Sequence, residues 1–330
     1  MNKERKIIEC MAGKLPRSKH QLNALFTSDA ELIRLNSGVM LVNIDEFSQE
    51  DRFRDDDAYK LGWNLTAATI SDILACCGHP KYYGHSVVVN KNQWGEKYIS
   101  QFSEGIADAL RFSNTSFIGG DLGFADHWHY TGVAIGMAQN PINRIGIKSG
   151  DHIFMTGQIG AGNTEAAIKL FGNKSNTSWK QSIQFPFRIR ESQFINQFAT
   201  ACMDSSDGLL CTLKTLAELN HTGFEITNTP FFTMGLDLCS QLNIAEELLF
   251  MGECGEYELV FTVEEHRVEA FNSASDSQGL NFNHIGTIKD DKVQILNTDN
   301  GIIDFSNYSL SARDYEHIDE YINALINYLS

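Results

Sequence analysis

Met203-Asp204-Ser205-Ser206-Asp207-Gly208-Leu209 is the stretch on which the reading of this chain turns. Two carboxylates stand three residues apart around two hydroxyls, and Gly208-Leu209 opens an apolar run with helical spacing. Just upstream, Ala199, Thr200, Ala201 and Cys202 are small enough for a buried strand end. Strand, acidic turn and helix in succession is how α/β proteins present catalytic loops. In that setting Asp204 and Asp207 can share one hard cation, and the helix start offers backbone N–H groups to a phosphate. Taken alone, the same residues also suit an ordinary helix N-cap.

Further aspartates recur in comparable contexts. Asp29 precedes Ala30-Glu31-Leu32-Ile33, and Asp45 ends the strand-like run 39–44. Asp72 lies inside an apolar helical stretch, where a carboxylate without a partner is costly. Asp121 closes Phe117-Ile118-Gly119-Gly120-Asp121, whose glycines let backbone approach a ligand. Each is individually a common turn residue. Converged, they would repel one another severely unless divalent cations lay among them.

At 330 residues the chain has room for two domains, each with its own core. A formal net charge of −16 argues against a nucleic-acid partner, which needs clustered Lys and Arg, but not against a nucleotide bridged by Mg²⁺. No long apolar run suggests a membrane span or secretory signal, so a cytoplasmic protein is expected. The seven cysteines form no CxxC pair and read as reduced, mostly buried thiols. His127-Trp128-His129 reads as a strand face rather than a zinc site.

Strand and helix patterns alternate from Gly38 to Gly136, with strands expected at 39–44, 85–89, 115–118 and 130–136 and helices at 58–77 and 94–112. A connector spans 141–151. A second unit follows with strands at 152–157, 224–226 and 259–263 and helices at 164–168, 190–199 and 208–220. The organisation expected is a basic arm at 1–20, flexible or docked as a helix, then domains at 21–148 and 149–330.

The order of these motifs resembles thiamine-monophosphate kinase, in the superfamily of aminoimidazole ribonucleotide synthetase, from about Asp29 to His317. The segments that carry the likeness are Ile70-Ser71-Asp72-Ile73-Leu74-Ala75, Ile118-Gly119-Gly120-Asp121, 143–151, Asp204-Ser205-Ser206-Asp207-Gly208-Leu209, Tyr257-Glu258-Leu259 and Asp314-Tyr315-Glu316-His317. The resemblance implies a two-domain α/β (α+β) PurM-like fold, with an N-terminal domain that forms an intersubunit β-barrel in a homodimer and a C-terminal α/β sandwich. It implies ATP between the domains and Mg²⁺ held by Asp29, Asp45, Asp72, Asp121, Asp204 and Asp207. It further implies Ser206, Gly119, Gly120 and Arg144 on nucleotide phosphates, with Asp204, Asp207 and Arg144 catalytic and Tyr315 stacked on the acceptor. A phosphate-monoester acceptor such as thiamine monophosphate is already ionised near neutral pH, which suits a site without a catalytic His, Ser or Cys.

Several positions depart from the family pattern. Thr27-Ser28-Asp29 has Ser28 where the family has a carboxylate, and Asn43-Ile44-Asp45-Glu46 lacks the usual hydroxyls, so a weaker metal cage is expected. Arg52, Leu122 and Glu256 fall where an acceptor would be recognised, and Arg52 favours an anionic one. Two alternatives therefore stay open beside the kinase reading. One is ATP-dependent amide activation of the aminoimidazole ribonucleotide synthetase type with another acceptor, the other a non-catalytic nucleotide-binding homologue.

Overall fold

The computed structural model describes residues 3–48, 56–171 and 183–329. The first unit comprises α1 (Lys3–Ala12), β1 (Glu31–Leu35), β2 (Gly38–Ser48), α2 (Ala58–Ala75), β3 (His79–Asn90), α3 (Glu96–Phe112), β4 (Ser116–Ala125) and β5 (His129–Ala138). Among the described residues its strands form one five-stranded sheet in the order β1-β2-β5-β3-β4, in which β3 and β4 run parallel and the other pairs antiparallel.

Helix α2 starts where the Asp57 carboxylate accepts the Lys60 backbone N–H at 3.0 Å. Its Ala, Leu, Ile and Thr side chains are buried on nearly every side, as expected of a helix sandwiched in a core. Helix α3 instead buries one stripe, Phe102, Gly105, Ile106, Ala109 and Leu110, at helical spacing. The two helices touch backbone to backbone: a Cβ on Gly62 would lie 2.1 Å from the Phe102 carbonyl oxygen, and one on Gly105 1.9 Å from that of Tyr59.

The second unit comprises β6 (His152–Met155), α4 (Ala161–Phe171), α5 (Ile189–Ile195), β7 (Ala199–Asp204), α6 (Leu209–Asn220), β8 (Gly223–Ile226), α7 (Thr233–Leu242), α8 (Leu248–Met251), β9 (Leu259–Val263), α9 (Val268–Gln278), β10 (Asn283–Lys289), β11 (Gln294–Thr298), β12 (Gly301–Asp304) and α10 (Ile318–Tyr328). Its seven described strands are ordered β12-β11-β8-β10-β6-β9-β7, and only β11 and β8 pair in parallel. Strand β9 is buried at every residue, which is why Leu259-Val260-Phe261-Thr262-Val263 reads as an unbroken apolar run.

Helix α2 fastens the units together. Trp63 Nε1 donates to the Phe185 carbonyl at 2.9 Å, and Asn64 both donates to the Ile183 carbonyl and accepts from the Phe185 N–H. Near its other end, Ser192 Oγ donates to the Leu74 carbonyl at 2.7 Å. These bonds hold α2 against the second unit, and α2, which carries Asp72 on its last turn, also packs on β7, which ends at Asp204.

Three expectations need adjusting. Asp45 does not end its strand, because β2 continues to Ser48 paired with His129. Asp121 is likewise inside β4, opposite Ser86, rather than at its end. The helix expected at 190–199 stops at Ile195, since Ala199 onward is taken by pairing with β9. The basic arm contains the docked helix α1, fixed by Arg5 to Glu218 at 2.8 Å and stacked over Phe26 at 5.4 Å.

Candidate active site

Four carboxylates arrive from four places in the fold: Asp29 ahead of β1, Asp45 on β2, Asp72 on the last turn of α2 and Asp204 at the end of β7. One oxygen from each of Asp29, Asp72 and Asp204 lies within 4.8 Å of the others. Asp45, Asp72 and Asp204 line a cavity of about 280 Å³, together with Ser206, Asp207 and Glu253. The loop over this cavity turns sharply into α6 at Gly208, whose φ is +79°. A Cβ there would meet the Gly252 carbonyl oxygen at 2.3 Å, so only glycine fits the turn.

The cluster is under electrostatic strain. Asp204 is buried, and among the described residues neither of its carboxylate oxygens nor Asp29 Oδ2 has a hydrogen-bond partner of good geometry, although Ser71 and Ser206 approach Asp204. Burial, reinforced by Asp29, pushes the Asp204 carboxyl up to about 7. Burial also raises Asp45 to about 6 although Asn43 donates to it at 2.8 Å, and Asp72 is driven well up by burial and then by Asp45, Asp204 and Asp29. Orphaned, converging oxygens of this kind are the donor set of a hard divalent cation, and Mg²⁺ fits them.

Arg144 supplies the positive charge present in the protein itself. Its Nη2 donates to Asp29 Oδ1 at 2.6 Å, and its Nη1 reaches the Phe26 carbonyl at 3.5 Å. Asn220, at the end of α6, donates to the Arg144 carbonyl at 2.8 Å and accepts the Gly146 N–H, which fixes the loop. Burial works against the Arg144 charge, but Asp29, Asp72 and Asp204 more than offset it and hold its pKa above the ordinary value. Its buried Nε N–H has no partner among the described residues.

Comparison with known proteins places this geometry in a family. Residues 27–138 match the model of the AIR synthase related protein N-terminal domain, and residues 148–298 that of the C-terminal domain. The chain belongs to the AIR synthase-related family. Thiamine-monophosphate kinase of Methanocaldococcus jannaschii is 24% identical over 294 residues, covering 83% of this chain and 89% of that protein. The enzyme of Bacillus subtilis is 27% identical over 299 residues, with the same coverage of each chain. The structure of AaThiL complexed with AMPPCP and TMP superposes with a TM-score of 0.75 at 19% identity, covering 89% of this chain and 92% of that one. The expected two-domain PurM-like fold is therefore the one observed.

The other residues singled out in the sequence are placed unevenly. Ser206 and Asp207 line the cavity, as expected of the acidic turn. Gly119, Gly120 and Asp121 do not join the acidic cluster of their own chain. Gly120 and Asp121 line a separate groove beside His85 and Phe117, because β4 is the far edge of the sheet from β2. Arg144, expected on a phosphate, is paired with Asp29. Glu256, expected to face an acceptor, is buried with Oε2 accepting the Gly160 N–H at 3.0 Å, turned away from the cavity. Tyr315 is not among the residues lining the cavity, and its ring lies 5.7 Å from that of Tyr321. Arg52 lies outside the described residues.

The departures at Ser28 and Ile44 also acquire a reading. The Ser28 hydroxyl is within 3.2 Å of Cys76 Sγ, and Ile44 is 65% exposed, out of step with Asn43 and Asp45. The Ser28 hydroxyl is thus engaged by a thiol that itself lies near Asp29 and Asp72, while Ile44 points to the exposed face. Two residues of the cavity that the sequence reading did not select are Glu253 and Arg313. Arg313 stands 3.8 Å from Asp207 and lies just ahead of Asp314-Tyr315-Glu316-His317, a neighbourhood that could have pointed to it.

Glu256 yields a separate prediction about stability. Burial pushes its carboxyl up to about 8, with the Gly160 N–H opposing and Glu258 adding. The folded state thus keeps a proton that the unfolded chain releases from about pH 4.5 upward, and stability falls as pH rises toward 8. Glu256→Gln removes that contribution and should flatten the decline by on the order of 2–5 kcal/mol at pH 8. Denaturant titrations at pH 5 and pH 8 check this; a variant with the wild-type slope would contradict it.

Proposed function

We propose that the chain is an ATP-dependent phosphotransferase of the thiamine-monophosphate kinase type, moving the γ-phosphoryl group of ATP to a phosphate-monoester acceptor. Thiamine monophosphate is the acceptor that the relatives' name implies. The observation that carries the reading is the convergence of Asp29, Asp72 and Asp204, with orphaned oxygens, beside a loop that opens α6.

The reaction is balanced without a general base. An oxygen of the acceptor dianion attacks the γ-phosphorus, the bond to the β,γ-bridging oxygen breaks, and ADP leaves with that electron pair. What the site must do is hold two polyanions in line and offset their charge. Asp29, Asp45, Asp72 and Asp204 would hold Mg²⁺, which when bound supplies the charge that offsets the phosphates. Arg144 donates to Asp29 and so orients it, and its buried Nε N–H would turn to a phosphate oxygen once nucleotide is bound. Ser206 and the backbone N–H groups at the start of α6 are placed for a further phosphate oxygen. Asp207 and Arg313 stand together on the cavity wall, where the acceptor's phosphate would lie.

The same reading takes 21–148 and 149–330 as the two domains and the protein as a cytoplasmic homodimer. Seven free cysteines suit a reducing compartment. The edge strand β4 supports the dimer: Phe117, Ile118, Leu122 and Phe124 are 48–69% exposed along it. Such an edge invites pairing with a second copy, which would also give Gly119, Gly120 and Asp121 a partner's site to serve. Phe124→Asp should convert a dimer to a monomer in sedimentation velocity, whereas a wild-type monomer would refute the assignment.

Phosphorus NMR of the protein with Mg²⁺, ATP and thiamine monophosphate tests the activity. Thiamine diphosphate and ADP in equal amounts are expected. ATP consumption without a diphosphate product would overturn the acceptor class and favour amide activation.

A further inference from the structure

A second cavity of about 480 Å³ adjoins the acidic one. Asp207, Glu253, Cys254 and Arg313 belong to the walls of both, so the two meet at these residues. Beyond that junction the character changes. Helix α7 contributes Leu238 and Leu242, α8 contributes Leu248 and Leu249, and α10 contributes Ile322 and Leu325. Protein interiors are close-packed, and an apolar chamber of this size beside a polar site is characteristic of a ligand cavity.

Asn163 and one oxygen of Glu253, both on the chamber wall, are already engaged. Asn163 Nδ2 donates to the Leu249 and Gly252 carbonyls, and its Oδ1 accepts the Cys254 N–H. Glu253 Oε2 accepts from Ser311 and from the Ala312 N–H. Asn163 has little amide capacity left to read a heterocycle, and most of what a ligand body meets in the chamber is Leu and Ile side chain. At the junction, Arg313 offers the cationic side chain that an anionic end of a ligand needs.

We propose that this chamber is the acceptor-body subsite, and that it selects phosphate monoesters carrying a compact hydrocarbon body of roughly five to ten carbons. The inference rests on the phosphotransfer reading for the identity of the phosphate end. The phosphate lies at the junction by Arg313 and Asp207, facing the γ-phosphorus, and the body points toward α7 and α10. Transfer then follows the balance given above: a new P–O–P bond forms on the acceptor, the β,γ bond of ATP breaks, and the products are an alkyl diphosphate and ADP.

The test uses n-hexyl phosphate as probe, thiamine monophosphate as comparison and Ala167→Phe as the variant. Ala167 lines the chamber from α4, away from the carboxylates, so the larger ring occupies the space that the body needs. Calorimetry with Mg²⁺ and a non-hydrolysable ATP analogue should show hexyl phosphate binding that Ala167→Phe weakens at least tenfold, while binding of the analogue is unchanged. Steady-state assays should show hexyl diphosphate forming, with a lower KM than that of thiamine monophosphate. If thiamine monophosphate is turned over while hexyl phosphate neither binds nor competes, the chamber assignment is overturned and the kinase reading stands. If hexyl phosphate binds in the Ala167-sensitive manner but no acceptor is phosphorylated, the chamber stands and phosphotransfer falls. Should Ala167→Phe fail to fold, Ile322→Gln, which lines the chamber from α10, replaces it with the same expected loss.

Discussion

Asp204→Asn is expected to reduce turnover by at least roughly a thousandfold and at the same time raise the melting temperature of the metal-free protein. Both effects follow from one geometry. Asp204 is buried, its two oxygens have no hydrogen-bond partner of good geometry among the described residues, and Asp29 and Asp72 stand close by. Its carboxyl is pushed from 3.8 up to about 7, so the native state retains a proton that the unfolded chain has lost. Stability therefore declines as pH rises from about 4 to about 7, and above that the full penalty applies. Asparagine carries no charge to desolvate, and the variant should gain on the order of 2–4 kcal/mol at pH 8 without metal. Mg²⁺ should reverse the order, because cation binding to the native state stabilises the wild type by mass action and has less to bind in the variant. Thermal unfolding at pH 6 and pH 8, with and without Mg²⁺, reads both halves. Turnover within tenfold of wild type, or lower metal-free stability at pH 8, would remove Asp204 from the proposed cation site.

How far the site was legible in sequence depended on the distance each inference had to span. The acidic turn was readable because strand, turn and helix are contiguous, and Asp204, Ser206 and Asp207 sit where local pattern puts them. Asp72 was conspicuous as a carboxylate in an apolar helix, and the fold supplies the reason, since that helix packs on β7. Orientation across the sheet was not readable. A strand pattern shows that Asp45 and Ile44 face opposite ways, but not that β4 lies two strands beyond the β2–β5 pair and carries Asp121 away. Glu256 misled for a related reason: within a loop, composition does not say which way a side chain turns, and this one turns to the Gly160 N–H. The apolar chamber left only a faint trace. Ile318, Ile322, Leu325 and Ile326 give α10 an amphipathic stripe, which sequence alone assigns to core packing, yet part of that stripe lines open space.

Arg144→Met should be the most damaging single change to the metal-free fold, and its damage should be repairable by Mg²⁺. In the wild type the guanidinium is the cation that the buried carboxylates face, bonded to Asp29 at 2.6 Å and held from behind by Asn220. Removing one member of a buried ion pair leaves the other charge uncompensated, a loss of about 3–5 kcal/mol. Here the uncompensated group would be Asp29, already within 4.8 Å of Asp72 and Asp204, so the loss should lie at the upper end of that range. Divalent cation can replace the missing charge among the carboxylates, and the variant should fold only as its Mg²⁺ concentration rises. Lysine at this position keeps the charge but not the fork that reaches both Asp29 and the Phe26 carbonyl, and should fall between the two. A residue that served only the nucleotide would behave differently: its loss would raise the KM for ATP and leave unfolding without metal unchanged. Chemical denaturation across a Mg²⁺ series, beside the KM for ATP, therefore separates a cation built into the acidic cluster from a ligand of the phosphates alone.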